Sequence, residues 1–387
     1  MTKENQSAGG RRQSARKGVI CHWSANISRI PPILLIVFLG AIFSASSQTA
    51  PPGGKDSLRD LVEDGHWKRA RAIIEPQAKN NPKDAEAAYL LSKIKLSYGD
   101  FDGAVEEAER AVALDGRNAD YHFQLAWACG EVAKRGGLLT KMRIGLRFKR
   151  EIDAALALNP KHLEARVGLM MFYMNAPGIM GGDKKKAVAL TDDMLRQNPE
   201  DGNFAKAMLA EEENDPGGAE RFYLKTVEIN PRNYRALMSL AGMYRNRKRY
   251  DLAEKYARDA SRLEPGRASP YKVLAAVLAR QQRWADLEQL LGQAEKNVPD
   301  NLSPYIEAGY ALYTEDKDLP RAQRYFQKYL TQKPEPSAPH LAVGHYLLGL
   351  VFEKQGRKPE AIGEISTALR LKPDYENAKK ALKRLKG

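Results

Sequence analysis

The sequence has 387 residues, of which 43% are hydrophobic and 28% are charged, and its formal net charge is +14. This composition is typical of a folded, water-soluble chain and excludes a disordered or polytopic membrane protein. The chain has two cysteines, Cys21 and Cys129, and the first lies in a segment that we expect to be removed, so a disulfide framework and a cysteine-based zinc site are excluded. The length is too great for one compact core and predicts several domains or one extended array.

The amino-terminal segment 1–47 has the pattern of a secretory signal. A basic stretch precedes the apolar run 33–43, and small residues follow that run at 45–47. The run is shorter than the roughly 20 residues that cross a bilayer, which favours cleavage over a permanent anchor. We therefore expect a periplasmic or secreted protein, anchored in the inner membrane if the signal is not cleaved. Residues 48–55 are predicted to form a Pro/Gly-rich linker.

The segment 56–387 is periodic. Apolar residues recur at helical spacing throughout it, and prolines that end helices recur along the chain. The dominant interval between these prolines is 34 residues, as between Pro231 and Pro265 and between Pro265 and Pro299. A regular interval of this size predicts a repeat architecture.

Small and aromatic residues also recur within each interval. Three small or apolar residues recur along one helix of each unit. Another small residue lies twelve positions before the first of these three, and an aromatic residue follows that small residue by three positions. The last unit shows this pattern at Gly349, Phe352, Ala361, Ile365 and Ala368, and an earlier unit shows it at Ala241, Tyr244, Ala253, Ala257 and Ala260. This pattern resembles the tetratricopeptide repeat (TPR) family. The resemblance implies an all-α TPR α-solenoid, a right-handed superhelix of antiparallel helix pairs, with about nine repeats and a carboxy-terminal capping helix.

The resemblance also implies a concave surface that binds proteins or peptides and is lined by the first helix of each unit. Aromatic and arginine side chains are common anchors of such interfaces. The candidates at the inward positions are Tyr89, Trp127, Arg235, Arg245, Tyr310 and Tyr346. Alternatively, Tyr89 and Trp127 merely cover apolar surface between neighbouring units.

Two consecutive units are longer than the others, with insertions near 134–147 and 175–183 that are expected on the same edge of the array. Their candidate binding residues are apolar: Leu138, Leu139, Ile144, Ile179 and Met180. Basic residues surround them, so this edge is a candidate site for a partner protein or for anionic lipid headgroups. In the alternative interpretation the two insertions pack on each other and Asp183 caps the next helix. A phosphate site at Gly181 and Gly182 is a weaker alternative.

The sequence contains no nucleotide-binding, metalloprotease or serine-hydrolase motif, and its histidines are scattered. We therefore expect no enzyme activity, no cofactor and no metal, and the expected export argues against a nucleic-acid partner. The predicted function is a non-enzymatic protein–protein interaction scaffold of the cell envelope, which binds proteins or peptides through the concave groove and the insertion-bearing edge. The alternative is a peripheral membrane or cell-wall assembly factor that contacts anionic surfaces through its basic edge.

Overall fold

The computed structural model describes residues 57–387, and every α-helix or 3-10 helix reported below lies in that part of the chain. The predicted signal segment 1–47 and linker 48–55 lie outside the described residues. The first ten α-helices are α1 Leu58–Glu63, α2 Trp67–Asn80, α3 Ala85–Ser97, α4 Phe101–Leu114, α5 Ala119–Arg135, α6 Leu138–Leu158, α7 Leu163–Asn175, α8 Lys184–Gln197, α9 Pro199–Glu212 and α10 Pro216–Ile229. The remaining nine are α11 Tyr234–Asn246, α12 Tyr250–Leu263, α13 Ala268–Arg280, α14 Trp284–Asn297, α15 Ser303–Thr314, α16 Leu319–Tyr329, α17 Leu341–Lys354, α18 Lys358–Leu371 and α19 Glu376–Lys386.

Consecutive helices form nine pairs, from α1 with α2 to α17 with α18, and α19 packs on the last pair. First helices also pack on first helices of the next pair, as α3 does on α5 and α15 on α17. The all-α solenoid with about nine repeats is therefore confirmed. The last helix caps the array as predicted, because it buries Ala378, Ala381 and Leu385 and exposes its lysines.

Small residues lie where the paired helices cross. Ala253, Ala257 and Ala260 of α12 are completely buried, as the sequence pattern predicted. A Cβ atom at Gly349 would lie 2.6 Å from Ile365 Cγ1, so the crossing of α17 and α18 leaves no room for a larger residue. These close approaches let the two helices of a pair bury their apolar faces against each other.

Short polar side chains set the beginnings of many helices. Asp84 Oδ1 accepts a hydrogen bond from the backbone N–H of Ala87 at 2.9 Å, and Asn233 Oδ1 accepts one from Ala236 at 2.9 Å. Each side chain thereby satisfies a backbone donor that has no partner inside its helix. Asp183 caps α8 in the same way through Lys185 and Lys186, as the sequence suggested.

The first insertion is helical, which had not been predicted from the sequence. Gly136 and Gly137 alone separate α5 from α6, and the extra residues extend both helices at this edge. The segment is amphipathic at helical spacing, with Phe148 stacked on Phe172 at 6.2 Å between ring centroids, so packing stabilises it as a helix. The second insertion is a loop with a 3-10 turn at Gly178–Met180. A Cβ atom at Gly145 would lie 2.8 Å from Met180 Cε, so the two insertions pack on each other.

The first helix pair contacts loops that lie more than 200 residues further along the chain. We call the contact formed by His66, Lys68, Arg69, Asp300 and Glu335 the clasp. Asp300 accepts hydrogen bonds from Arg69 Nε at 2.8 Å and pairs with His66 Nδ1 at 3.0 Å. Lys68 donates its backbone N–H to Glu335 Oε2 at 3.1 Å and its Nζ group to the carbonyl oxygen of Asp300 at 2.9 Å. The array therefore closes on itself between its first and later units.

A second ion pair lies beside the clasp, where Arg267 Nε donates to Asp64 Oδ1 at 3.1 Å. Arg267 is buried there, and its guanidinium lies over the ring of Tyr234 at 4.7 Å from the centroid.

Among the helices of residues 57–387, none is long and apolar enough to cross a bilayer.

Candidate functional site: an apolar groove

A groove with a volume of about 210 Å³ lies between helices of three consecutive pairs and α11, and it is partly open to solvent. Its lining is almost entirely apolar and rich in phenylalanine and methionine. The large apolar side chains of the lining include Phe123, Trp127, Leu138, Met142, Phe148, Met171, Phe172, Met180, Phe204 and Met208. We call this feature the apolar groove.

Helical periodicity places these side chains on one wall. Leu138, Lys141, Met142, Gly145 and Phe148 of α6 all line the groove, and they recur at intervals of three or four residues. Such residues share one face of an α-helix. The extension of α6 before residue 150 therefore builds the wall that an ordinary repeat would lack.

Aromatic contacts hold the floor of the groove in place. Phe123 lies 6.3 Å from Trp127 and 5.3 Å from His162 between ring centroids. A Cβ atom at Gly168 would lie 3.1 Å from Ile152 Cδ1, so glycine lets α6 and α7 approach closely under the groove. Methionines beside these rings supply flexible apolar surface that can adapt to a ligand.

A chain of charged side chains runs along the first helices to one end of the groove. Arg59 Nη2 donates to Glu86 Oε1 at 2.8 Å, and its Nη1 atom lies 3.8 Å from Asp120 Oδ2. Asp120 pairs with His162 Nε2 at 3.0 Å. This hydrogen bond, together with the positive charges of Arg59 and Lys93, lowers the pKa of the Asp120 carboxyl against the opposing effect of burial.

This series of charged side chains ends at Glu164, which pairs with Arg235 of α11. Both residues line the apolar groove. The charge of Arg235 is thus already balanced by a carboxylate at this end of the groove.

Two lysines, one on α5 and one on α6, also line the groove. Lys134 donates to Glu131 and lies over the Trp127 ring, and burial lowers the pKa of its amine. Lys141 lines the groove and is half-buried. Within residues 57–387, the Lys141 amine has no hydrogen bond or ion pair, so its charge is available to a ligand.

The structure brings four of the predicted binding residues together. Trp127, Leu138, Met180 and Arg235 all line the apolar groove. The groove thus joins the concave surface to the insertion-bearing edge, and these had been predicted from the sequence as two separate sites. Whether these residues bind a partner stays a prediction.

Three further candidates belong to the insertion-bearing edge but not to the groove lining. Leu139 and Ile179 are 83% and 87% exposed beside the groove, and Leu138 at its mouth is 73% exposed. Ile144 packs instead against the small core cluster that contains Leu125 and Cys129.

The last four candidates lie elsewhere. Tyr89 is buried and its ring lies 5.2 Å from that of Tyr121, which agrees with the alternative in which it covers apolar surface. Arg245 is half-buried on α11, and Tyr310 and Tyr346 lie in later units. These four residues do not line the apolar groove.

Several groove residues were not predicted as binding residues from the sequence. Much of the lining is formed by residues that look like ordinary core positions in the sequence, which are Phe148, Phe172, Phe204 and Met208. Phe148 could have been found, because it shares a helical face with Leu138 once the first insertion is interpreted as a helix.

Fewer positive charges on the insertion-bearing edge are free to contact a partner than the sequence suggested. Of the seven basic residues between 134 and 150, five pair with carboxylates of the described chain, which are Lys134, Arg135, Arg147, Lys149 and Arg150. Lys141 and Arg143 remain without such a partner among the described residues. The edge thus retains a smaller excess of positive charge than its composition implies.

Four of the five histidines within residues 57–387 pair with carboxylates, as His122 does with Glu151 and His345 with Glu364. The fifth, His340, accepts a hydrogen bond from the backbone N–H of Ala342 at the start of α17. Residues 57–387 contain no group of three or more His, Cys, Asp or Glu side chains that could hold a metal ion.

The sequence matches two family models. Residues 64–173 match the regulator of microtubule dynamics protein 1-3 family, and residues 204–268 and 318–376 match a tetratricopeptide repeat model. The chain is 28% identical over 164 residues to bovine (Bos taurus) regulator of microtubule dynamics protein 3, which covers 42% of this chain and 32% of that protein. It is 27% identical over 198 residues to a TPR repeat-containing protein of Pseudomonas aeruginosa, covering 48% of this chain and 34% of that protein. The chain thus spans about a third of the length of these relatives.

Among solved structures, the chain is similar to yeast Tom70, with a TM-score of 0.47 and 15% identity over 85% of this chain and 80% of that chain. The repeat pattern, the nine helix pairs and the matched repeat model agree with one another. The chain therefore carries tetratricopeptide repeats, and its described part folds as an all-α TPR solenoid.

Proposed function

We propose that this protein is a non-enzymatic scaffold that binds partner proteins through the apolar groove. The observation that carries this proposal is the groove itself, an open apolar surface next to the exposed side chains of Leu138, Leu139 and Ile179. Apolar surface that is left in contact with water is stabilised when a partner covers it. TPR folds in general bind proteins or peptides, and the groove is where this array offers such a surface.

The comparison with known proteins supports the same region. The match to the regulator of microtubule dynamics family extends over residues 64–173, and α5, α6 and most of α7 lie inside it. These helices build most of the groove. We expect the groove, rather than the later units, to carry the binding activity.

Substitution of an exposed groove residue tests the proposal without disturbing the core. Leu138→Asp places a charge at the groove mouth, whereas Leu146→Asp places the same charge on the same helix outside the lining, at a residue that is 53% exposed. We expect partners cross-linked to the wild-type protein in cells of the native organism to be lost from Leu138→Asp and retained by Leu146→Asp. Equal retention by the two variants would refute binding through the groove.

We also propose that the protein is exported to the cell envelope, on the basis of the signal-like pattern of residues 1–47. Fractionation of cells that produce the full chain, with amino-terminal sequencing of the mature protein, tests this. We expect the protein outside the cytoplasm with an amino terminus near residue 48. A cytoplasmic protein with its first residues intact would contradict export.

A second candidate function is contact with an anionic membrane surface. Three exposed apolar side chains at the groove mouth stand near basic residues without carboxylate partners among the described residues, which are Lys141, Arg143, Lys184 and Lys185. Apolar side chains surrounded by cations are typical of peripheral membrane contacts. Co-sedimentation with phosphatidylglycerol vesicles that is lost in Leu139→Asp and weakened by salt would support this function. No sedimentation at low salt would exclude it.

A further inference from the structure

We propose that the occupant of the apolar groove is an amphipathic α-helix of the partner, with an acidic residue beside its apolar stripe. This inference rests on the proposed function and specifies the chemistry of the partner.

The hydrogen-bonding state of the groove favours a helix. The lining belongs mainly to α5, α6, α7, α9 and α11, whose backbone groups bond within their own helices. The loop residues Ala176 and Met180 donate their N–H groups to the carbonyl oxygens of Phe172 and Pro177. The lining therefore has no row of free backbone groups like the edge of a sheet. An extended peptide buried here would leave its own backbone groups unpaired, whereas a helix satisfies them internally.

The size of the groove suits the apolar stripe of such a helix. A helix with its side chains is about 10 Å wide, so only the side chains of its apolar stripe would enter a groove of about 210 Å³. The groove is partly open to solvent and is bounded by helices from consecutive units. Leucine, methionine and phenylalanine side chains at helical spacing are the anchors that flexible, methionine-rich grooves accept.

Charge specifies the acidic residue. Lys134 and Arg235 line the groove but already pair with Glu131 and Glu164. Lys141 lines it without a carboxylate partner in residues 57–387, beside the exposed side chain of Leu138. A carboxylate on the ligand, next to the apolar residue that packs near Leu138, would complete this ion pair in a partly desolvated position.

Three synthetic peptides of about 18 residues, or five helical turns, test the inference against the full-length protein. The first is an amphipathic Leu/Ala helix with glutamates flanking the leucine stripe. The second has lysines in place of the glutamates, and the third keeps the glutamates but has two central prolines that prevent a helix. Binding is measured by fluorescence anisotropy of the labelled peptides, with sodium oleate as a competitor of different chemistry.

We expect the acidic helix to bind at least about tenfold more tightly than either of the other peptides. Lys141→Glu is expected to reverse the preference between the acidic and basic helices, whereas Arg143→Glu, an unpaired cation on the same helix outside the lining, is expected to preserve it. Leu138→Asp is expected to abolish binding, and circular dichroism of each variant checks that the helices remain folded.

Three results would overturn the inference. Equal binding of the proline peptide would indicate an extended ligand, equal binding of the basic helix would remove the role of Lys141, and binding of oleate without any helical peptide would indicate a lipid ligand. If cellular partners are nevertheless lost from Leu138→Asp, the proposed function stands and the helical occupant alone is wrong. If they are retained, both fall.

Discussion

Glycines at helix crossings carry structural information at the scale of single residues. Gly202 of α9 is buried, and a Cβ atom there would overlap the backbone of Leu195 in α8. Gly242 of α11 has no atom within 4 Å of the corresponding position. The two glycines therefore have different reasons to be present, although both lie inside helices.

Replacing each glycine by alanine distinguishes these reasons. We expect Gly202→Ala to destabilise the protein by about 1–3 kcal/mol, because the backbones of α8 and α9 must separate. Gly242→Ala is expected to be neutral or to stabilise the helix by about 0.5–1 kcal/mol, because alanine has the higher helix propensity. Thermal melting of both variants measures the difference. A Gly202→Ala protein as stable as Gly242→Ala would show that α8 and α9 do not approach so closely.

The repeat pattern predicted the crossing residues where units follow the consensus, such as Ala257 and Gly349. It could not predict Gly202, because the unit at 201–233 departs from that pattern. Close packing at Gly202 depends on where Leu195 lies in the preceding helix, and a single unit's sequence does not contain that information.

At the scale of elements, the extended start of α6 defines the groove. It is held by the stacking of Phe148 on Phe172 and by the contact of Met180 with Gly145. Sequence reasoning located the extra residues but did not predict that they form a helix. The apolar residues of this segment recur at helical spacing, so its helical face could have been recognised from the sequence. The contact of that face with the 175–183 loop could not be predicted, because it depends on the three-dimensional path of the loop.

Adjacent residues of the 3-10 turn test this packing. Met180→Asp removes the contact with α6, so we expect faster amide hydrogen exchange in residues 138–146. Ile179→Asp is the matched control, because the Ile179 side chain is 87% exposed and its replacement is expected to leave exchange unchanged. Exchange measured by mass spectrometry decides between them. Unchanged exchange in Met180→Asp would mean that α6 forms its first turns without this support.

At the scale of the whole described array, the clasp links the first helix pair to loops that contain Asp300 and Glu335. Burial raises the pKa of Asp300, but the hydrogen bonds and charges of His66 and Arg69 outweigh it and lower that pKa to about 2. Burial raises the pKa of Glu335 from 4.5 to about 7, against the opposing effects of Lys68 and His66 and with a contribution from Asp300 in the same direction. Contacts over such sequence separations follow from superhelical geometry, so the sequence could not predict them.

The raised pKa of Glu335 predicts a pH-dependent clasp. The Glu335 carboxyl binds its proton more tightly in the folded protein than in the unfolded chain. The contribution of this carboxyl to the free energy of unfolding is therefore fully present below pH 4.5, and it declines by up to about 3 kcal/mol as the pH rises to about 7. Glu335→Gln, which cannot ionise, is expected to melt at a higher temperature than the wild type at about pH 8 and at a similar temperature at about pH 5.

Exposed Glu228 of α10 provides a control, since Glu228→Gln is expected to leave the pH dependence of melting unchanged. If the melting temperatures of the wild type and Glu335→Gln differ by the same amount at both pH values, the ionisation of Glu335 does not act on the clasp.

The central claim is that partners bind in the apolar groove, and photo-cross-linking tests it most directly. A photoreactive amino acid is placed in the full chain at Leu138 or Met142 in the groove, or at Tyr310 or Tyr346 in the later units. After illumination of cells of the native organism, mass spectrometry identifies any attached peptide. We predict that one partner segment is attached at both groove positions and at neither later position. Attachment at Tyr310 or Tyr346 without attachment at Leu138 or Met142 would contradict the account.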